Sequence, residues 1–155
     1  MHSERYERLI EGVRARGLDA LALVPGPNLF YVTDLSFHLS ERPIVALFPR
    51  EGRPAIVLPE LEAVKVEEGS EMGVFPYTDE EGHGDAFRRA CGALDLAGAT
   101  VGAEGLRMRL VEVQLLEQCT GGGRLVMAED LMADLRMEKN AHELDQMRSA
   151  IAVTE

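Results

Sequence analysis

The chain has 155 residues, 46% hydrophobic and 28% charged. That suits one globular domain burying about 70% of its unfolded surface, and it excludes disorder. A formal net charge of −11 with no basic stripe excludes a nucleic-acid partner and disfavours an anionic membrane.

The opening Met1 to Arg8 stretch is charged and carries no apolar leader, and no run approaches a membrane span. The expectation is a soluble, cytoplasmic protein. Ser3 is placed to cap a helix whose apolar face is Tyr6, Leu9, Ile10 and Val13, ended by Gly17. Leu18 to Val24 is a short, mostly apolar run that suits a buried strand. Pro25-Gly26-Pro27 forces a turn, after which Asn28 is expected to cap a helical turn through Leu29, Phe30 and Tyr31.

A polar loop from Thr33 to Arg42 leads into an apolar run, Pro43 to Phe48. A turn over Arg50 to Arg53 makes Ala55 to Leu58 the second arm of a hairpin. Glu60 to Glu68 reads as a helix closed by Gly69. Gly73 to Tyr77 reads as a strand that Pro76 assigns to an edge or a strand end. Helices over Asp85–Leu94, Leu110–Cys119 and Glu129–Met137 alternate with strands over Thr100–Glu104 and Arg124–Met127. This is the pattern of an α/β domain with a mixed β-sheet flanked by helices.

Catalytic chemistry is sparse. His142-Glu143 begins like a zinc-protease helix, but position 146 is Gln, so the second ligand is missing. His2, His38, His83 and His142 stand far apart, and no metal site is expected within the chain. Gly121-Gly122-Gly123 follows a helix and precedes a strand, the reverse of a phosphate loop, and reads as a flexible connection. The acidic runs Glu67-Glu68 and Asp79-Glu80-Glu81 read as solvated surface. Cys91 and Cys119 show neither a disulfide framework nor a metal-binding spacing, and both are expected as small apolar residues in a reducing cytoplasm. No nucleophile, base and oxyanion hole come together, so no catalytic residue is expected. The loop carrying Phe37 and His38 is the candidate binding element, set against the alternative of a surface loop with Phe37 tucked under.

The last stretch is organised like a beginning. Asn140 is a good N-cap, Glu143 stands where a capping box needs it, and Leu144, Met147 and Ile151 share one helix face. No Gly or Pro stop follows, and the pattern suggests a domain boundary near residue 138 with a further domain downstream. The alternative is a terminal helix docked on its own domain.

Four segments together resemble the N-terminal domain of the creatinase–prolidase family of proline-specific metallopeptidases and their amidinohydrolase relatives. They are Arg8-Leu9 with Gly17-Leu-Asp-Ala-Leu21, Gly26-Pro-Asn-Leu-Phe-Tyr-Val-Thr33, the hairpin ending Ala55-Ile-Val-Leu-Pro59-Glu-Leu-Glu-Ala63, and Leu135-Arg-Met-Glu-Lys139 with Glu143-Leu144 and Met147-Arg148. The family has a GLDALLV-like strand, a PxNIxYLTGF segment and an LRxxKSxxEIxxIR junction in the same order. Asp34-Leu35 departs from the usual Gly-Phe, and Asn140 replaces the customary Ser or Asp while keeping the capping chemistry.

The resemblance implies an RNase H-like creatinase N-terminal domain over residues 1–137, and over 138–155 a junction helix leading to a C-terminal pita-bread catalytic domain. That second domain would hold two divalent metals, Mn, Co or Zn, on two Asp, one His and two Glu, none of them in this chain. It implies a parent Xaa-Pro dipeptidase or aminopeptidase acting on short proline-containing peptides, in which this domain supports a homodimer and covers the active site. Phe37 and His38 are the candidates to reach a partner subunit's site. Two other readings stay open: a free-standing binding or dimerisation module, and the same domain of a creatinase-type amidinohydrolase.

Overall fold

The computed structural model describes residues 3–67 and 71–154. Along the chain run α1 (Ser3–Ala15), β1 (Ala20–Leu23), α2 (Pro27–Thr33), β2 (Val45–Pro49), β3 (Ala55–Pro59), α3 (Glu60–Glu67) and β4 (Gly73–Tyr77). Then follow α4 (Gly84–Ala93), β5 (Thr100–Ala103), α5 (Leu110–Cys119), β6 (Arg124–Met127), α6 (Glu129–Met137) and α7 (Ala141–Thr154). The Ser3 cap and the Gly69 stop lie outside the residues or side chains described.

The strands form one sheet in the order β4-β3-β2-β1-β5-β6. The β1–β2 and β2–β3 pairs are antiparallel, and the other three are parallel. This is the expected α/β architecture with a mixed sheet. β4 lies at the edge, where Pro76 costs no ladder bond, and Arg89 donates to its carbonyl at 3.1 Å.

Alternation along the strands divides the core in two. Leu21, Leu23, Phe48, Ile56 and Leu58 face one side, packed with Leu9 and Val13 of α1, Leu29 and Val32 of α2, and Leu131 and Met132 of α6. Ala20, Ala22, Leu47, Val57 and Val101 face the other, against Phe87 and Ala90 of α4 and Leu115 and Leu116 of α5. Both faces are covered, so β1, β2 and β3 are buried at every residue, and their sequences read as continuous apolar runs. Each fully buried Leu contributes about 1.5–3 kcal/mol.

Three local expectations are corrected. Asn28 does not cap α2: Gly26 holds that position, Pro27 opens the helix, and the Asn28 side chain turns to other partners. Gly121–Gly123 is a tight turn, not a flexible connection. Gly121 and Gly122 have positive φ, the Gly98 N–H donates to the Thr120 carbonyl at 2.7 Å, and a Cβ on Gly123 would stand 2.4 Å from the Ala99 carbonyl oxygen. Cys91 and Cys119 are joined in a disulfide, their Cα atoms 5.9 Å apart. Packing of α4 against α5 brings together two cysteines 28 residues apart, a contact their spacing could not reveal. The inference from unpaired thiols to a reducing compartment therefore falls.

Candidate functional site

Two neighbouring features at the end of α2 carry the polar chemistry of the domain. The first is the loop leaving that helix. Thr33 closes the helix by donating its hydroxyl to the Leu29 carbonyl at 2.7 Å and accepting the Leu35 N–H at 3.1 Å. Asp34 then takes a left-handed conformation, φ 61°, which Asp tolerates better than most side chains.

Further along, the loop is pinned at several points. Phe37, 8% exposed, sinks into the core with the Lys65 ammonium 5.5 Å from its ring centre. Arg109 donates to the Ser40 carbonyl and, on its other side, pairs with the fully buried Glu112. Arg42 grips Asp79 through two bonds, and the Tyr77 hydroxyl donates to the Pro43 carbonyl at 3.0 Å. The Arg42 bonds hold the Asp79 carboxyl below its ordinary range. What remains presented is the apex, with His38 and Leu39 exposed. The structure thus separates the two candidate residues: Phe37 anchors the loop, and His38 faces outward.

The second feature is a cleft of about 740 Å³ between α2, α6 and α7, lined among others by Asn28, Tyr31, Met132, Arg136, His142 and Met147. Behind Asn28, outside the lining of the cleft, lies Glu104, 2% exposed, directly after β5. Its carboxylate accepts the Val24 N–H at 3.0 Å and the Asn28 amide at 2.8 Å. Burial raises its pKa, and those two bonds oppose the rise. Asn28 passes the connection on by accepting from Arg136 at 2.9 Å. Beside this chain, Gly26 leaves room for the Arg107 guanidinium, which a Cβ would meet at 2.6 Å.

The other wall is built around Arg5. It donates to the Tyr31 carbonyl and to Glu143, each at 2.9 Å, and its guanidinium lies 4.2 Å over the Tyr31 ring. Glu143 and Asn140 form the expected capping box. The Glu143 N–H donates to Asn140 Oδ1 at 2.9 Å, and the Asn140 N–H donates to Glu143 Oε2 at 3.0 Å. Among the described residues, no group of three or more His, Cys, Asp or Glu is placed to hold a metal ion. The arrangement can position helices and bind polar groups.

Residues 5–138 match the family model described as the creatinase/prolidase N-terminal domain. The chain belongs to that family.

Its curated relatives include a probable dipeptidase PepE of Mycobacterium tuberculosis, 33% identical over 139 residues, which are 86% of this chain and 36% of that protein. A putative dipeptidase YkvY of Bacillus subtilis is 23% identical over 147 residues, 94% of this chain and 40% of that protein. The chain therefore spans little more than a third of the length of these relatives. Among solved structures, dipeptidase PepE from Mycobacterium ulcerans superposes with a TM-score of 0.79 at 28% identity, covering 92% of this chain and 38% of that one. The creatinase/prolidase N-terminal domain of an X-Pro dipeptidase from Streptococcus pyogenes shares the fold, with a TM-score of 0.75 at 15% identity, covering 86% and 99%.

Arg5, Glu104 and the cysteine pair were not legible as functional or structural partners in sequence. Glu104 alone carried a signal, a carboxylate directly following a buried strand. No helix among the described residues is long and apolar enough to cross a membrane.

Proposed function

We propose that this chain acts as the non-catalytic N-terminal domain of a proline-specific metallopeptidase, an Xaa-Pro dipeptidase or aminopeptidase. In this reading residues 1–137 are the domain body and residues 138–155 lead into a pita-bread domain. That second domain would hold two divalent metals, Mn, Co or Zn, which would supply an activated water and a Lewis acid for the scissile carbonyl. The family match over residues 5–138, with relatives named as dipeptidases, is the observation that carries the reading. The domain body supports a homodimer, and the pinned loop presents His38 toward the partner's active site to restrict it to short proline-containing peptides.

The free-standing binding module is the weaker reading. It needs the apolar face of α7 packed on its own domain, whereas Leu144, Met147 and Ile151 are 41%, 51% and 56% exposed. An amidinohydrolase parent shares this domain, and no residue described here favours it.

The test compares the 155-residue chain, supplied with Mn²⁺, against the same domain joined to a pita-bread domain. The joined protein is expected to cleave Ala-Pro in an EDTA-sensitive manner, and the 155-residue chain to leave it intact. EDTA-sensitive cleavage by the short chain would sink the proposal.

A further inference from the structure

Cys91 lies in the last turn of α4 and is 1% exposed, in the same apolar cluster as Phe87, Leu96 and Leu116. Cys119 is the last residue of α5 and is half-buried at the margin of that cluster. Their Cα atoms, 5.9 Å apart, stand within the range a disulfide spans without backbone movement. The segment between them carries β5, so the bond ties the helix packed on β3 and β4 to the helix packed on β6. The two residues are thus unequal: Cys119 keeps part of its surface in solvent, while Cys91 is enclosed in the apolar cluster between α4 and the sheet.

We propose that Cys91 and Cys119 form a thiol–disulfide exchange site of fixed polarity, in which Cys119 meets a low-molecular-weight disulfide and Cys91 resolves the adduct. Starting from the dithiol, the Cys119 thiolate attacks one sulfur of the small disulfide. A Cys119 mixed disulfide forms, and one small thiolate leaves and takes up a proton. The Cys91 thiolate then attacks Cys119 Sγ, which closes the Cys91–Cys119 bond and expels the second small thiolate. Two protein thiols are oxidised, and one small disulfide is reduced to two thiols. Reduction by a small thiol runs the same path backwards, entering at Cys119 and releasing Cys91.

The surroundings also set the pace. Both cysteines sit at helix C-termini and Cys91 is buried, so neither has the exposed helix N-terminal setting of a reactive thiol. Exchange therefore belongs to the uncatalysed range, roughly minutes to hours. The site is a stabilising clamp that records the ambient thiol–disulfide balance, and it does not turn over substrates.

The experiment exposes the reduced 155-residue chain, and its Cys91→Ala and Cys119→Ala variants, to oxidised glutathione at about pH 8, near the ordinary thiol pKa. Intact-mass analysis after alkylation follows the thiols. The wild-type chain is expected to lose both alkylatable thiols without keeping glutathione. Cys91→Ala is expected to retain one glutathione on Cys119, and Cys119→Ala to stay unmodified until denatured. The oxidised wild-type chain is expected to melt about 5–15 °C above the reduced one. If circular dichroism shows Cys91→Ala unfolded, acid-quenched early samples of the wild type are digested, and the transient adduct is expected on the Cys119 peptide. An adduct on Cys91, equal reactivity of the two folded single variants, or a wild-type chain that keeps both thiols overturns the proposal.

Discussion

Arg5 of α1 and Glu143 of α7 lie 2.9 Å apart with both side chains mostly buried, so the first helix of the domain is bonded to the last. The same carboxylate completes the capping box with Asn140, and one residue therefore both starts α7 and fastens it to the body. This shared use makes the orientation of α7 sensitive to the charge state of one group.

The first prediction follows from that group. Burial by itself would raise the Glu143 carboxyl, but the Asn140 N–H, the Tyr31 hydroxyl and Arg5 outweigh it, and the pKa is lowered. A depressed folded-state value means the contribution is fully present above the ordinary carboxylate range and is lost as pH falls through the folded value. Amide exchange in α7, corrected for intrinsic pH dependence, is expected to lose protection on acidification in the wild type. In Glu143→Gln the protection is expected to be low already at neutral pH and to change little. Equal protection in both chains across the range would contradict the linkage.

Glu104 has the opposite sign. Burial raises its pKa against the opposing bonds from Val24 and Asn28. Its contribution is full below the ordinary carboxylate range and declines as pH rises through the raised folded value. Urea unfolding at several pH values is expected to show this slope in the wild type and to lose it in Glu104→Gln. Glu104→Ala strands the buried Val24 N–H and is expected to cost about 1–3 kcal/mol.

The Gly121–Gly123 turn separates two kinds of glycine requirement. At Gly123 a methyl group would strike the Ala99 carbonyl and Thr120, so Gly123→Ala is expected to cost about 2–4 kcal/mol through backbone displacement. At Gly122 the space is open and φ is +97°, so Gly122→Ala is expected to cost about 1–2 kcal/mol from conformation alone. Thermal melts of the two variants in parallel check the order; a reversal would mean the turn relaxes freely.

The loop after α2 should divide stability from specificity. Phe37→Ala removes a buried ring and is expected to cost about 3–5 kcal/mol. His38→Ala changes an exposed side chain and is expected to stay within about 0.5 kcal/mol of the wild type. In a protein joining this domain to the proposed pita-bread domain, His38→Ala is expected to change the relative kcat/KM for dipeptides and longer peptides while leaving the melting temperature unchanged. An unaltered preference would remove His38 from the covering role.

By itself the sequence determined the elements and the architecture of this domain. Continuous apolar runs mark strands covered on both faces, Pro76 marks the edge, and Asn140 with Glu143 marks the start of α7, because these signals act over a few residues of local backbone chemistry. Only the tertiary structure decided which distant side chains meet. Arg5 with Glu143, Val24 with Glu104, and Cys91 with Cys119 are contacts across 138, 80 and 28 residues, set by how helices pack on the sheet. Asn28 shows the difference in one residue: its chemistry suited a local cap, but Pro27 took the first position of the helix, and packing delivered Glu104 and Arg136 as its partners instead.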